Sequence, residues 1–184
     1  MISKKVLALF LAISSISALA QKKQESNSYF DIGYSTLAYS DSSFNFKPTG
    51  IRAVYGKNTS ENLGWEGLLG IGMNEDTATF SSASLGLKIG TVLGVYAKGF
   101  IKPSDSFEIF GRLGYASVSR ELSCTPVARC VTSSAKDTGN SISYGAGLKF
   151  DISKNVSIGG DYMSYYNREG VSINATSIGV SFGF

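Results

Sequence analysis

Most of the chain alternates apolar and polar residues with a period of two, which is the pattern of β-strands that have one apolar face. Beyond residue 28 the sequence divides into eight such segments, separated by turn residues. In the third segment, for example, Trp65, Leu69 and Ile71 oppose Glu66 and Gly70. Each segment has about ten residues, the length that a tilted strand needs to cross a bilayer. The pattern therefore predicts an all-β chain with strands of membrane-spanning length.

Two architectures fit such strands, a soluble β-sandwich and a transmembrane β-barrel. A sandwich buries its apolar face in a core and exposes charge to water. Here the apolar face is wide and rich in the 10 Tyr and 11 Phe residues, while the other face carries glycine, serine and isolated charges. The interior of an eight-stranded barrel is just wide enough for side chains to fill it, which suits the second face better. We therefore predict an eight-stranded antiparallel up-and-down transmembrane barrel.

The lengths of the connections agree with this prediction. Those after segments two, four and six are short (58–62, 102–106 and 151–155), and the one after segment five is long (120–140). Outer-membrane barrels have short periplasmic turns and longer external loops, and an even strand number leaves both termini in the periplasm. We expect the same arrangement here.

The first twenty residues have the features of a secretory signal peptide. Lys4 and Lys5 precede an apolar run over residues 6–13, and residues 18–20 form an A-x-A site that predicts cleavage after Ala20. The alternative, an N-terminal membrane anchor, needs a longer apolar run of about 20 residues. Residues 21–28 would then be a short periplasmic leader and residues 29–184 the barrel domain.

Removing the signal leaves 15 Lys and Arg against 14 Asp and Glu, a net charge of about +1. No cluster of basic residues indicates nucleic-acid binding.

The polar face of the segments carries charges that would point into the barrel. Buried charges are costly unless they are paired or hydrated, so we expect an ion-pair network rather than an ion pathway. The predicted network contains Asp31, Arg52, Glu66, Lys88, Glu108, Arg112, Lys149 and Asp161.

Little in the sequence indicates catalysis or cofactor binding. The chain has no histidine, the usual general base near neutral pH, and a Ser-His-Asp triad is impossible without one. We therefore expect no enzymatic activity and no cofactor. Cys124 and Cys130 lie in the predicted long loop with five residues between them, and in an oxidising compartment they are expected to form a disulfide. Two cysteines without further ligands do not complete a metal site, so no metal is predicted.

The end of the chain resembles the β-signal of outer-membrane proteins, which runs polar-x-Gly-x-x-aromatic-x-aromatic. Ser177, Gly179, Phe182 and the terminal Phe184 stand at its four positions. The resemblance implies that the barrel-assembly machinery recognises this strand during biogenesis.

Two stretches in the middle of the chain, residues 94–100 and 110–115, resemble the central hairpin of small proteobacterial barrels. These are the OmpA-type transmembrane domain and the OmpX/Ail group of Gram-negative outer-membrane proteins. The resemblance implies a location in the outer membrane and contacts of the extracellular loops with lipopolysaccharide or other surfaces. The barrel enzymes of that membrane resemble one another in using a catalytic histidine, which this chain lacks. The leading hypothesis is a non-enzymatic barrel with a structural or surface-interaction role, and the alternative is a narrow channel.

Overall fold

The structure is a computed structural model that describes residues 27–41, 45–80, 83–125 and 134–184. The predicted signal peptide, its cleavage site and most of the predicted leader lie outside these residues. Within them, no helix is long and apolar enough to cross a membrane.

The described residues are almost entirely β-strand. The strands are β1 (Ser28–Ser40), β2 (Asn45–Phe46), β3 (Thr49–Asn58), β4 (Leu63–Gly72), β5 (Glu75–Phe80), β6 (Ala83–Ser104), β7 (Phe107–Thr125), β8 (Ser134–Asp151), β9 (Val156–Arg168) and β10 (Val171–Gly183).

Eight of these strands form a closed antiparallel ring. Each pairs with its neighbour in the order β1-β3-β4-β6-β7-β8-β9-β10, and β10 pairs with β1 from Tyr29 opposite Gly183 to Ser40 opposite Ser172. Closure leaves no open sheet edge in the ring, as a barrel in hydrocarbon requires, because unpaired backbone groups are costly there. The predicted eight-stranded up-and-down barrel is confirmed. β2 and β5 are short additions that pair with the outer ends of β1 and β6.

Tight turns join the strands at the end of the barrel that carries both termini. β3 and β4 are joined by residues 59–62, β6 and β7 by residues 105–106, and β8 and β9 by residues 152–155. At the opposite end β9 and β10 meet in a two-residue turn, in which Glu169 and Gly170 have φ angles of 56° and 77°. Positive φ at both central residues belongs to a type I′ turn, whose twist matches that of the strands.

The outward face of the ring is apolar, and none of the described residues covers it. Leu93, Leu113, Ile142 and Ile178 are each more than half exposed, and Tyr115, Tyr144 and Tyr162 stand beside them. A water-soluble protein of this size does not expose a continuous apolar surface of such extent. The face is therefore suited to lipid.

One β-bulge reverses the alternation within β6. The pairing of β6 with β7 shifts register between Ile89 and Val92. Leu87 and Ile89 consequently lie inside the barrel, whereas Leu93 lies outside. Strict alternation along the fourth segment would predict that Leu87, Ile89 and Leu93 share one face, and this prediction is wrong. A bulge places one extra residue in one strand, and polarity could not reveal it because both sets of residues are leucine, isoleucine or valine.

Three strands of the barrel extend well beyond the others at the end opposite the termini. β8 pairs with β7 from Phe150 up to Ser134, but with β9 only as far as Tyr144. Together with β5, the outer parts of β6, β7 and β8 form a sheet of residues 75–80, 83–89, 119–125 and 134–143, which we call the extension. Residues 120–140 were predicted to form one long loop. This is wrong for residues 120–125 and 134–140, which belong to the paired strands β7 and β8.

Candidate functional site: the charged interior of the barrel

The inner face of the barrel holds a network of buried charges centred on Arg112. Its Nε donates to Glu66 Oε2, its Nη2 donates to Glu66 Oε1 at 3.3 Å, and its Nη1 donates to Asp161 Oδ2 at 2.6 Å. The guanidinium also lies over the ring of Phe110, 4.5 Å from its centre. Three strands, β4, β7 and β9, are therefore linked across the interior through one side chain.

A second arginine joins the same network from β3. Arg52 Nη1 lies 2.5 Å from Asp161 Oδ2, and its Nη2 donates to Asp31 Oδ1 at 3.3 Å. Asp161 thus receives both guanidinium groups. Arg52 Nε and Asp161 Oδ1 have no hydrogen-bond partner among the described protein atoms. Such buried groups are commonly satisfied by ordered water.

A separate group of charges lies nearer the end that carries the termini. Lys98 Nζ donates to Glu108 Oε1 at 2.7 Å, and the lysine is only 1% exposed. Lys149 Nζ donates to Ser181 Oγ at 3.2 Å. Both ammonium groups lie over the ring of Tyr29, at 4.7 Å for Lys98 and 4.1 Å for Lys149, a distance at which the electron-rich face of the ring attracts a cation.

Tyr29 connects these two groups. Its hydroxyl donates to Glu66 Oε1, and its ring lies within 5 Å of both lysine ammonium groups. The ring also covers Gly56, where an added Cβ atom would clash with the ring. Glycine at this position of β3 is therefore what allows a tyrosine to lie across so narrow an interior.

The eight charges predicted for the interior do not all lie there. Asp31, Arg52, Glu66, Arg112 and Asp161 form one network, Glu108 pairs with Lys98, and Lys149 faces inward without a carboxylate within 4 Å among the described residues. The predicted inward position of Lys88 is wrong. This residue is exposed on the outer surface of the extension, opposite Glu75 of β5 and Glu121 of β7, because the bulge in β6 reverses the faces of the residues before it.

Sequence reasoning missed Lys98 and Tyr29 as members of the site. Lys98 stands directly opposite Arg112 in the register of β6 and β7. Since like charges repel at that distance, the two side chains turn to different carboxylates, Glu108 and Glu66. The inward position of Lys98 follows from the alternation, so its place in the interior was predictable and its partner was not.

Toward the extension, the interior becomes apolar. A cluster of buried side chains fills this outer half, and we call it the apolar cap. It includes Leu37, Tyr39, Phe46, Leu87, Ile89, Val92, Val118, Met163, Tyr165, Tyr166 and Ile173. Met163, Leu87 and Ile89 are completely buried. The interior is thus filled by two successive layers, one charged and one apolar.

On the surface of the extension, charges alternate across neighbouring strands. Lys136 Nζ lies 3.5 Å from Glu121 Oε2, and Arg120 pairs with Asp137. The hydrogen bond from Arg120 lowers the pKa of the Asp137 carboxyl below its usual range. The Lys136–Glu121 pair is exposed, whereas the Arg120 side chain is only 13% exposed and lies over the ring of Tyr166. The two pairs leave no concentrated positive patch among the described residues of this sheet.

The residues that resemble a β-signal lie on the strand that closes the ring. Ser177 Oγ is hydrogen-bonded to Ser35 Oγ at 2.9 Å, and Gly179 stands opposite Gly33 of β1. Phe182 is opposite Phe30, and the half-exposed ring of Phe184 lies 6.4 Å from that of Tyr55.

The predicted disulfide falls partly outside the described residues. Cys124 lies near the end of β7, opposite Leu85, and Cys130 is not among the described residues. The bond stays a prediction. Within the described ranges, no group of three or more Cys, Asp or Glu side chains is arranged to hold a metal ion.

Comparison with known proteins identifies the family. The sequence matches the outer membrane protein beta-barrel domain over residues 6–184. The chain belongs to this family. The predicted kinship with small outer-membrane barrels is therefore confirmed. No curated protein sequence is similar enough to match the chain.

Solved structures support the same fold. Ail, the attachment invasion locus protein of Yersinia pestis, is 18% identical with a TM-score of 0.64, over 88% of this chain and 100% of Ail. Neisserial surface protein A is 14% identical with a TM-score of 0.67, over 86% of this chain and 98% of that protein. OprG of Pseudomonas aeruginosa is 8% identical with a TM-score of 0.54, over 88% of this chain and 97% of OprG. At these identities the likeness shows the fold alone.

Proposed function

We propose that the chain is a non-conducting, non-enzymatic barrel of the Gram-negative outer membrane with a structural or surface-interaction role. The observation that carries this proposal is the filled interior. Five ion pairs occupy the charged layer and the apolar cap lies above it. With these two layers occupied, an interaction role falls to the lipid-facing wall, the extension and the loops.

The extension supports an interaction role because it presents strand edges and paired charges beyond the barrel. Residues 134–143 of β8 pair with β7 on one side and have no ladder pairing with β9 on the other, where only side-chain contacts are made. Lipopolysaccharide is the partner that lies nearest to such a sheet in an outer membrane. Ail, one of the similar structures, is described in complex with the heparin analogue sucrose octasulfate. We infer a comparable surface role here, without assigning that ligand to this chain.

The narrow channel is the alternative function. A pore needs a continuous aqueous path, and an eight-stranded barrel is too small for one unless its interior side chains withdraw. Met163, Leu87 and Ile89, which are completely buried in the apolar cap, oppose such a path. The occupied interior therefore favours the surface role over the channel.

The orientation of the barrel tests this proposal. A membrane-impermeant amine reagent applied to intact cells should label Lys88 and Lys136 on the extension. Lys154, in the turn between β8 and β9, should react only after the outer membrane is permeabilised. Lys154 serves as the matched control because it is similarly exposed. Labelling of Lys154 alone on intact cells would contradict a surface role for the extension.

The interaction itself needs a separate measurement. A surface coated with lipopolysaccharide or heparin should retain more cells that make the protein than cells that lack it. Equal retention of the two strains on both surfaces would argue for a purely structural role.

A further inference from the structure

The interior opens into a cavity at the end of the barrel that carries both termini. The cavity has a volume of about 540 Å³. Most of its lining is polar and includes Asn58, Ser60, Asn155, Ser157 and Ser181. Since the apolar cap fills the opposite end, a solute could reach this cavity only from the side of the termini.

Charge is distributed unevenly along the interior. The deeper network has the two arginines, Arg52 and Arg112, against three carboxylates, Asp31, Glu66 and Asp161. The group that lines the cavity has the reverse imbalance, with Lys98 and Lys149 against a single carboxylate, that of Glu108. The charges of these two groups sum to zero. The wall of the cavity nevertheless carries one positive charge that has no carboxylate partner there.

Lys149 is the cation left over. Glu108 is engaged by Lys98 at 2.7 Å, and no carboxylate oxygen lies within 4 Å of Lys149 Nζ among the described residues. The ammonium group donates to Ser181 Oγ and lies over the ring of Tyr29, but neither contact brings a negative charge, so it keeps donor capacity for an anion. The hydroxyl proton of Ser181 can point to the same space, because its oxygen acts only as the acceptor of the Lys149 bond.

The entrance to the cavity neither adds to nor cancels this charge. Lys102 and Lys154 stand there with Glu61 and Asp151. The entrance is balanced, so the attraction for an anion is concentrated at Lys149.

We propose that this cavity binds a small soluble oxyanion, such as a phosphate or carboxylate group, on Lys149 Nζ and Ser181 Oγ. The oxyanion would form an ion pair with the Lys149 ammonium group and accept hydrogen bonds from Lys149 Nζ and Ser181 Oγ. A lipid headgroup is a poorer occupant because the barrel wall separates the cavity from the bilayer. The site does not depend on the proposed surface role, which concerns the other end of the molecule.

Chemical protection tests the site without any substitution. The mature chain, folded in an uncharged detergent, is treated with acetic anhydride with and without inorganic phosphate, and acetylation of each lysine is followed by mass spectrometry. Phosphate should slow the acetylation of Lys149 and leave that of Lys88 unchanged. A rate for Lys149 that does not respond to phosphate, or no reaction at all, would overturn the proposal.

Calorimetric titration with inorganic phosphate gives the second test. Lys149→Met keeps the length of the side chain and removes the charge, and should weaken phosphate binding about tenfold or more, as expected for one charge-assisted hydrogen bond. Lys88→Met, on the extension, should bind as the unmodified protein does. Undiminished binding by Lys149→Met, or no binding by the unmodified protein, would refute the site. If Lys149→Met does not fold, the protection experiment decides.

Discussion

At the scale of single residues, Arg112 is the centre of the charged network in the interior. It binds two carboxylates from different strands and is 5% exposed. Taking charges out of water is costly, so removing one partner leaves the other uncompensated and destabilises the fold more than the pair itself stabilised it. The sequence predicted its inward direction from the alternation. It could not predict the partners, because they depend on the register of strands distant along the chain.

Arg112→Met should lower the free energy of unfolding by about 3–5 kcal/mol, the usual result of breaking a buried pair. Urea-induced unfolding of the barrel in lipid vesicles measures the loss. Lys136→Met is the matched control, because the side chains of Lys136 and of its partner Glu121 are 78% and 37% exposed. Exposed pairs contribute about 0–1 kcal/mol. Equal losses in the two variants would contradict the inferred importance of burial.

At the scale of strands and loops, the positions of the turns were predictable and the limits of the longest strands were not. The short connections at 58–62 and 151–155 follow from turn residues between alternating segments. The outer parts of β7 and β8, with sequences RELSCT and SAKDTGN, contain few apolar residues, so they lack the clear alternation that identifies a half-buried strand. The bulge in β6 escaped prediction for the opposite reason, since apolar residues face inward above it and outward below it.

The C-terminal strand carries a prediction about assembly. Deleting Phe184 removes one exposed ring, whose loss of packing should cost about 1.5–3 kcal/mol at most. If the assembly machinery reads this residue, the variant should accumulate in the periplasm or be degraded, yet still fold in detergent. Cell fractionation and a heat-modifiability gel measure the two outcomes.

Phe150→Ala provides the control for that experiment. Phe150 is 51% exposed and Phe184 is 52% exposed, but Phe150 lies on β8, away from the chain end. Phe150→Ala should reach the outer membrane normally. If the variant without Phe184 does so as well, the terminal residue is only a packing residue.

The predicted disulfide joins Cys124 of β7 to Cys130, which lies outside the described residues. In exported protein, neither Cys124 nor Cys130 should react with a thiol reagent until a reductant is added. Closing so short a loop should contribute about 2 kcal/mol in the chain-entropy description, acting on the loop more than on the barrel. Alkylation of both thiols without reductant would show that the bond is absent.

At the scale of the whole molecule, the barrel is filled by layers of different chemistry. The charged layer fixes strands to one another through ion pairs, and the apolar cap closes the side toward the extension. The closed ring was predictable from strand number and from the apolar outer face. The cap was not, because a buried leucine such as Leu87 is indistinguishable in sequence from a leucine that faces lipid.

A filled interior makes the conductance of the purified protein the most direct test of this account. The mature chain, shown to be folded by a heat-modifiability gel, is inserted into planar lipid bilayers and held at a steady voltage. We expect no stable conductance steps above the baseline of the bilayer, because side chains occupy both layers of the interior. Reproducible open-channel currents from the same preparation would contradict the account and favour the channel.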